Sequence, residues 1–110
     1  MVEYIPKRGD IVWLEFDPQK GKEIQKRRPA LVISPYQYNK KTGLGLFMPI
    51  TSQIKGYPFE IHVEKEEVNG AVLCDQMRSL DWRARKAKFV TQIAPDVLED
   101  VLAKFKILID

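Results

Sequence analysis

The chain has too few cysteines and histidines for several kinds of functional site. Its 110 residues include one cysteine, Cys74, and one histidine, His62. A single cysteine excludes an internal disulfide and a zinc site made of several thiolates. The sequence also has no glycine-rich phosphate loop, no Gly-x-Ser-x-Gly elbow and no His/carboxylate cluster with metal-ligand spacing. We therefore expect a function that needs neither a metal nor a cofactor.

Long hydrophobic runs are missing as well. No uninterrupted apolar segment approaches the ~18 residues that a membrane-spanning helix needs, and the charged start of the chain does not resemble a secretory signal. The 45% hydrophobic and 10% aromatic content nevertheless supports a hydrophobic core and excludes a mainly disordered chain. We expect one cytoplasmic domain over residues 1–110, with no membrane partner.

The net charge of +3 conceals strong local differences. Residues 18–41 carry seven positive side chains against one negative, and residues 76–92 carry five against one. Residues 60–75 carry five negative side chains against one positive. The two basic segments form a polyanion-binding face if the fold brings them together, whereas the alternative is ordinary solvated surface charge. Charge alone leaves both interpretations open.

Short apolar runs separated by turn residues predict a β-rich fold. We expect turns at 39–43 and at Asn69-Gly70, and Pro49 suggests an edge strand or a bulge. From Pro95 onward the apolar residues recur at helical spacing, which predicts one C-terminal helix. We therefore expect a strongly curved antiparallel sheet or barrel that is closed by this helix. The predicted strands are Asp10–Asp17, Pro29–Ser34, Gly45–Ile50, Phe59–Val63, Ala71–Ser79 and Lys88–Ile93.

A set of polar residues at the ends of these elements offers the main chemical candidates. They are Glu23, Arg28, Thr51, Ser52, Asp75, Gln76 and Arg78. Each has an ordinary structural explanation, such as a solvated loop charge or a turn cap. Asp75 is the hardest to explain in that way, because a carboxylate inside an apolar strand needs a partner such as Arg28 or Arg78. His62 is expected to be solvated on the polar face of its strand.

The motifs that contain these residues resemble the MazF/PemK toxin endoribonucleases, most closely the MazF branch. The similarity extends in order over essentially the whole chain. The matching segments are Gly9–Pro18, Gly21–Glu23, Arg28–Pro35, Tyr38-Asn39, Pro49–Ser52, Lys55–Glu60, Asp75–Ser79, Trp82–Arg85 and the terminal helix.

This resemblance implies an SH3-like barrel of the MazF/PemK/CcdB type that forms a homodimer. It implies the toxin of a type II toxin–antitoxin system, held inactive by a cognate MazE-like antitoxin. Its implied activity is sequence-specific, metal-independent cleavage of single-stranded RNA. The ribose 2′-hydroxyl attacks its own phosphate, which leaves a 2′,3′-cyclic phosphate and a 5′-hydroxyl. Cleavage of messenger RNA then inhibits translation and growth.

The resemblance also implies roles for individual residues. Glu23 is the expected general base, Arg28 stabilises phosphoryl charge, and Thr51 adds a hydroxyl hydrogen bond. Asp75 is expected to orient neighbouring groups, because Lys22 and Leu73 replace a histidine and an arginine that act with this aspartate in the Kid/PemK branch. The expected RNA-binding residues are Asn39, Ser52, Lys55, Tyr57, Gln76, Arg78, Arg83 and Arg85.

Two other functions remain open from the sequence. The same barrel occurs in CcdB-like toxins that poison a protein target such as DNA gyrase without catalysis. A plain RNA-binding barrel without chemistry is the second alternative. Only the endoribonuclease interpretation requires Glu23, Arg28 and Thr51 to meet around one phosphate.

Overall fold

Antiparallel strands make up most of the part of the chain that the structure describes, which is residues 3–15 and 27–110 of a computed structural model. Seven described strands form a curled sheet in the order β4-β5-β3-β2-β1-β7, and β6 pairs with β3 beside this path. The elements are β1 Asp10–Glu15, β2 Arg27–Val32, α1 Tyr36–Thr42, β3 Leu44–Thr51, β4 Glu60–Lys65, β5 Val68–Leu73, β6 Arg78–Asp81, β7 Lys88–Gln92 and α2 Pro95–Ile109.

The central parts of β1, β2 and β3 are buried on both faces, which explains the short apolar runs in these strands. Alternate residues such as Ile11 and Leu31 belong to a cluster that includes Val101 of α2. Their neighbours Val12 and Val32 belong to a second cluster on the opposite face, with residues of β3 and β6. The central strands therefore hold the two clusters in one fixed arrangement.

The predicted fold class, mainly β with one C-terminal helix, is confirmed. Helix α2 begins at Pro95, as its position at the start of the apolar periodicity predicts. Strand β4 also has the predicted alternation, because Val63 is buried while His62 and Glu64 are exposed. Of the predicted first strand, residues 16 and 17 lie outside the described residues.

Three local predictions were wrong. The segment expected to turn at 39–43 is helix α1, which ends at Gly43. The turn between β4 and β5 falls at Glu66 and Glu67, so Asn69 and Gly70 lie within β5. By contrast, Pro49 pairs with Ala30 of β2 on one side only, between the residues of β3 that pair with β6 and those that pair with β5, so β3 has a local edge at this proline, as predicted.

The third correction concerns the predicted strand Ala71–Ser79. A turn at Cys74 and Asp75 divides this segment into the end of β5 and the start of β6. Cys74 is buried whereas Asp75 is exposed, so the carboxylate does not need a buried partner. The apolar run had concealed the turn because Cys74 and Met77 pack against the core on either side of it.

No helix in the described ranges is long and apolar enough to cross a membrane.

Candidate active site

Two adjoining cavities open where β2, β3 and β5 meet. The first, here called the arginine cavity, has a volume of about 570 Å³ and is lined by residues that include Arg27, Arg28 and Asn69. The second, the tyrosine cavity, has a volume of about 560 Å³ and is lined by residues that include Tyr57 and Gln76. Thr51 and Gln53 line both cavities, which therefore form one continuous groove.

Strand register brings Arg28 and Thr51 to the same cavity. Strand β2 pairs with β3 through Ala30 opposite Pro49, and antiparallel register extended by two residues sets Arg28 opposite Thr51. Both residues line the arginine cavity, where the Arg28 side chain is exposed and Thr51 is half-buried. A guanidinium and a hydroxyl from separate strands can thus reach one bound group.

The Thr51 hydroxyl has a defined orientation. Its Oγ1 accepts a hydrogen bond of 3.1 Å from the backbone N–H of Gln53. Because this bond uses only a lone pair, the hydroxyl proton remains available to donate to a ligand. The role of Thr51 as a hydrogen-bond donor to RNA stays a prediction, for which this proton is available.

A glycine on β5 allows the close approach that holds Thr51 in place. A Cβ atom added at Gly70 would lie 2.1 Å from the backbone oxygen of Thr51. A side chain at this position is incompatible with the pairing of Thr51 opposite Ala71. Gly70 therefore serves the close packing of β3 against β5, which explains why it occurs within a strand instead of at the predicted turn.

The predicted general base, Glu23, lies outside the described residues. In the sequence it precedes Arg28 by five positions. Among the described residues, Arg28 has no side-chain hydrogen bond or ion pair, and Arg27 beside it adds a second positive charge to the cavity lining. With two arginines against the one carboxylate of Glu67 in its described lining, this end of the groove favours an anionic ligand.

The loop that leads into β4 forms one wall of the tyrosine cavity. The Tyr57 hydroxyl donates a hydrogen bond of 2.8 Å to Oδ2 of Asp75. This bond, and then the negative charge of Asp75, raise the pKa of the Tyr57 phenol. Asp75 thus holds the hydroxyl of Tyr57, a partner that the sequence had not suggested. The Tyr57 ring is 47% exposed and faces outward.

Four of the predicted RNA-binding residues line the groove. Ser52 lines the arginine cavity, while Lys55, Tyr57 and Gln76 line the tyrosine cavity. All four are exposed, so their polar atoms are accessible to a ligand.

Asn39 does not belong to this surface. Its side chain is fully buried and donates hydrogen bonds to the backbone oxygens of Pro6 and Ser34, at 2.8 and 3.2 Å. Its Oδ1 accepts a hydrogen bond from the Ser34 hydroxyl. Asn39 therefore stabilises the interior, and its placement contradicts the prediction that it contacts RNA.

The three predicted arginines after β5 lie outside the lining of both cavities. Arg83 forms a 2.7 Å ion pair with Glu3 and lies 5.2 Å from the centre of the Trp82 ring. Arg85 donates a hydrogen bond of 3.0 Å to the backbone oxygen of Glu15 at the end of β1. Arg78 begins β6 and is exposed.

Sequence reasoning missed several residues that line or support the groove. Gln53 and Asn69 are exposed lining residues, and Glu60 binds the backbone of the loop before it. A signal for Glu60 was present, because Gly56 and Pro58 predict a turn directly before this acidic residue. Gln53 and Asn69 carry no such signal, since their position depends on how β3 and β5 pair.

Comparisons with known proteins show the family of the chain. Residues 7–109 match the family described as PemK-like, MazF-like toxin of type II toxin-antitoxin system. The chain is 47% identical over 106 residues to the endoribonuclease toxin MazF of Escherichia coli K12, covering 96% of each chain.

Solved structures agree as well. The crystal structure of MazF from Deinococcus radiodurans is similar, with a TM-score of 0.87 and 48% identity over 97% of this chain and 98% of that one. A MazE-MazF crystal structure from the same organism gives a TM-score of 0.88 and 48% identity, over 96% and 97% of the two chains.

Proposed function

Because the chain belongs to the PemK-like, MazF-like toxin family of type II toxin–antitoxin systems, we propose that it is an endoribonuclease that cuts single-stranded RNA. Cleavage occurs at short sequence motifs and needs no metal. The observation that carries the assignment of the site is the convergence of Arg28 and Thr51 on one cavity from different strands.

The chemistry is suited to a site with few catalytic groups. RNA supplies its own nucleophile, the 2′-hydroxyl, beside the phosphate that it attacks. The protein has to hold the linkage in line, accept a proton and stabilise negative charge on the phosphoryl oxygens. As the bond from the 2′-oxygen to phosphorus forms, the bond from phosphorus to the 5′-oxygen breaks, and the departing 5′-oxygen takes a proton from water. The products are a 2′,3′-cyclic phosphate and a 5′-hydroxyl.

Arg28 is the principal charge-stabilising residue of the proposal. Its planar guanidinium can donate to two non-bridging oxygens at once, and it keeps its charge at neutral pH. Thr51 adds one donor to the same phosphate, and Glu23 accepts the proton of the 2′-hydroxyl. A guanidinium is a very weak acid and is poorly matched to proton donation at neutral pH, which favours the electrostatic role for Arg28.

The tyrosine cavity receives the neighbouring nucleotide. Lys55 supplies positive charge, Gln76 has an amide that can bind a base edge, and Tyr57 exposes a ring on which a base can stack. Ser52 contacts the backbone in the arginine cavity. Arg78, Arg83 and Arg85 add positive charge outside the two cavities and contribute to binding through the longer-range field.

The proposal extends to assembly and regulation. A homodimer is the active form, residues 1–110 act as one domain, and the protein works in the cytoplasm. A MazE-like antitoxin inhibits it by covering the RNA groove, and release of the enzyme inhibits translation. The MazE-MazF complexes of Deinococcus radiodurans support an antitoxin partner of this type.

The decisive experiment uses a labelled single-stranded RNA in the presence of EDTA. The wild-type protein is expected to cut at discrete sites and to leave 5′-hydroxyl ends. Arg28→Ala should lower the cleavage rate by about 1,000-fold, because a preorganised donor to the transition-state charge is lost. Arg28→Lys keeps the charge without the planar fork and should retain only part of the activity. Glu23→Ala should slow cleavage severely.

Lys41→Ala is the control for charge, since Lys41 is an exposed residue of the last turn of α1. It should cut like the wild type. Comparable activity of Arg28→Ala and wild type on a purified RNA would refute the assignment. Retardation of RNA without cutting would instead favour a plain binding barrel. The absence of both retardation and cutting would favour a gyrase poison.

A further inference from the structure

The loop between β3 and β4 is anchored by an acidic residue that has no role in the chemistry described above. Glu60, the first residue of β4, turns its carboxylate back toward the loop. Its Oε1 accepts hydrogen bonds from the backbone N–H groups of Lys55, Gly56 and Tyr57, at 3.3, 3.1 and 3.3 Å. Its Oε2 lies 3.3 Å from the same Lys55 nitrogen.

Three successive N–H groups that converge on one anion form a backbone nest. Such a conformation requires residues outside the ordinary helical and extended regions, and Gly56 has a φ of 75°. The hydrogen bonds to the carboxylate therefore stabilise this loop conformation and offset the entropic cost of ordering the loop.

A second anchor holds the same loop at its far end. The hydroxyl of Tyr57 bonds to Asp75, and its backbone oxygen accepts a 3.0 Å hydrogen bond from the N–H of Glu60. The Tyr57 ring also lies 6.0 Å from the ring of Phe59, which packs against the core. The backbone of Tyr57 is thus bonded to the first residue of β4, and its side chain is bonded to the turn at Asp75.

We propose that Glu60, together with Asp75, is a positioning residue that presents Lys55 and Tyr57 to the RNA and so determines which nucleotide the tyrosine cavity accepts. This inference rests on the proposed endoribonuclease function. Glu60 acts through the loop, because its carboxylate oxygens are already bonded to backbone donors and its negative charge would repel a phosphate. The preformed loop lowers the ordering cost of binding RNA.

The test combines hydrogen exchange of the free protein with steady-state cleavage of RNAs that differ at one nucleotide. Glu60→Ala should raise the exchange rates of the Lys55, Gly56 and Tyr57 amides by about tenfold, since hydrogen bonds to a charged acceptor are lost. The amides of β5 should be unaffected. For the preferred RNA, KM should rise about tenfold while kcat stays within about twofold, and discrimination among the RNAs should fall.

Two further variants make the result specific. Glu60→Gln retains one acceptor oxygen and should restore part of the exchange protection and part of the discrimination. Glu64→Ala removes an exposed carboxylate from the same face of β4 and should match the wild type in both measurements. Because Glu60→Gln preserves the shape of the side chain, it also provides the test if Glu60→Ala does not fold.

The outcomes separate this inference from the proposed function. Unchanged exchange at the three amides in Glu60→Ala would overturn the role of Glu60, whatever the activity. Faster exchange with unchanged KM and discrimination would overturn it as well. A wild-type protein that cuts no RNA would overturn the proposed function, while the exchange data would still test the anchor.

Discussion

Polar side chains serve opposite purposes along strand β3. Near its beginning, the N–H of Leu46 donates a 2.8 Å hydrogen bond to the hydroxyl of Ser34, which in turn bonds to the buried Asn39. The indole of Trp82 donates to the backbone oxygen of Asn39 at 3.1 Å. At the end of the strand, Thr51 faces a groove beside the exposed Arg28. One region uses its polar groups internally, and the other presents them to a ligand.

The difference shows why residue type is a poor guide to function in this fold. Asn39 and Arg28 both belong to segments that resemble the family, and both are polar. Buried polar groups must be paired within the protein, because an unsatisfied donor or acceptor costs free energy. Every buried side-chain nitrogen or oxygen in the described ranges has a hydrogen-bond partner. Asn39 is therefore committed to stability, and Arg28 is available for binding.

The largest expected effect on stability comes from removing the buried amide. Asn39→Ala leaves the backbone oxygens of Pro6 and Ser34 without their donors and creates a cavity beneath α1. We expect the free energy of unfolding to fall by about 3–4 kcal/mol. Urea unfolding measures this loss, and RNA cleavage per folded molecule should stay within about twofold of the wild type.

Gln37→Ala is the matched control, because Gln37 is an exposed amide on the same helix. Its effect on stability should stay within about 0.5 kcal/mol. If Asn39→Ala kept its stability but lost cleavage, the contrast between the two ends of β3 would fail. Asn39 would then be an RNA contact, as the family resemblance implied.

A substitution at Gly70 should affect both stability and RNA cleavage, because this glycine packs against the backbone of Thr51 at the end of β3. An alanine Cβ would collide with the backbone of Thr51, which no side-chain rotation can relieve. We expect Gly70→Ala to lower the free energy of unfolding by about 3 kcal/mol and to reduce cleavage by displacing the Thr51 hydroxyl. Unfolding measurements and cleavage rates at a temperature where the variant is folded give the two values.

Gly43→Ala separates this collision from backbone strain. Gly43 has a φ of 73°, and a Cβ added there would meet nothing within 4 Å. This variant should cost about 1 kcal/mol and leave cleavage unchanged. Equal effects of the two variants on cleavage would show that Gly70 has no particular link to the site.

The regular elements could be predicted because their signals are local. Helix α2 has its periodicity and its initial proline in consecutive residues, and β4 alternates with a period of two. Helix α1 was missed because it has seven residues, and its sequence of tyrosines, Asn39 and lysines lacks an apolar stripe. Asn69-Gly70 has the composition of a hairpin turn, but Gly70 is required by contact with another strand.

The site was predictable only in part, because it depends on contacts between segments that are distant in the sequence. The sequence could nominate Arg28 and Thr51, but their convergence depends on the pairing of β2 with β3. The partner of Asp75 depends on a turn that the apolar sequence around Cys74 had hidden. Glu60 was overlooked because a carboxylate bonded to backbone N–H groups looks like any surface acid until the loop is folded.

Cys74 and Asp75 bring the contrast into two adjacent residues, since the first is buried and the second is exposed. Burial, followed by the negative charge of Asp75, raises the pKa of the Cys74 thiol to about 11 from an ordinary 9.0. The folded protein therefore binds this proton more tightly than the unfolded chain does. By linkage, the thiol's contribution to stability is complete below about pH 9 and is lost as pH rises through about 11.

Unfolding free energies of wild type and Cys74→Ala measured from pH 8 to pH 11 test this smallest effect. The wild type should lose up to about 2 kcal/mol more than the variant over this range. Tyr4, whose phenol has its pKa raised by burial and by its hydrogen bond to Asp10, is present in both proteins and cancels in the difference. Parallel pH profiles would mean that the pKa of the Cys74 thiol is not raised by folding. The thiol would then be as accessible to water as the side chain of the neighbouring Asp75, contrary to the contrast drawn between these two residues.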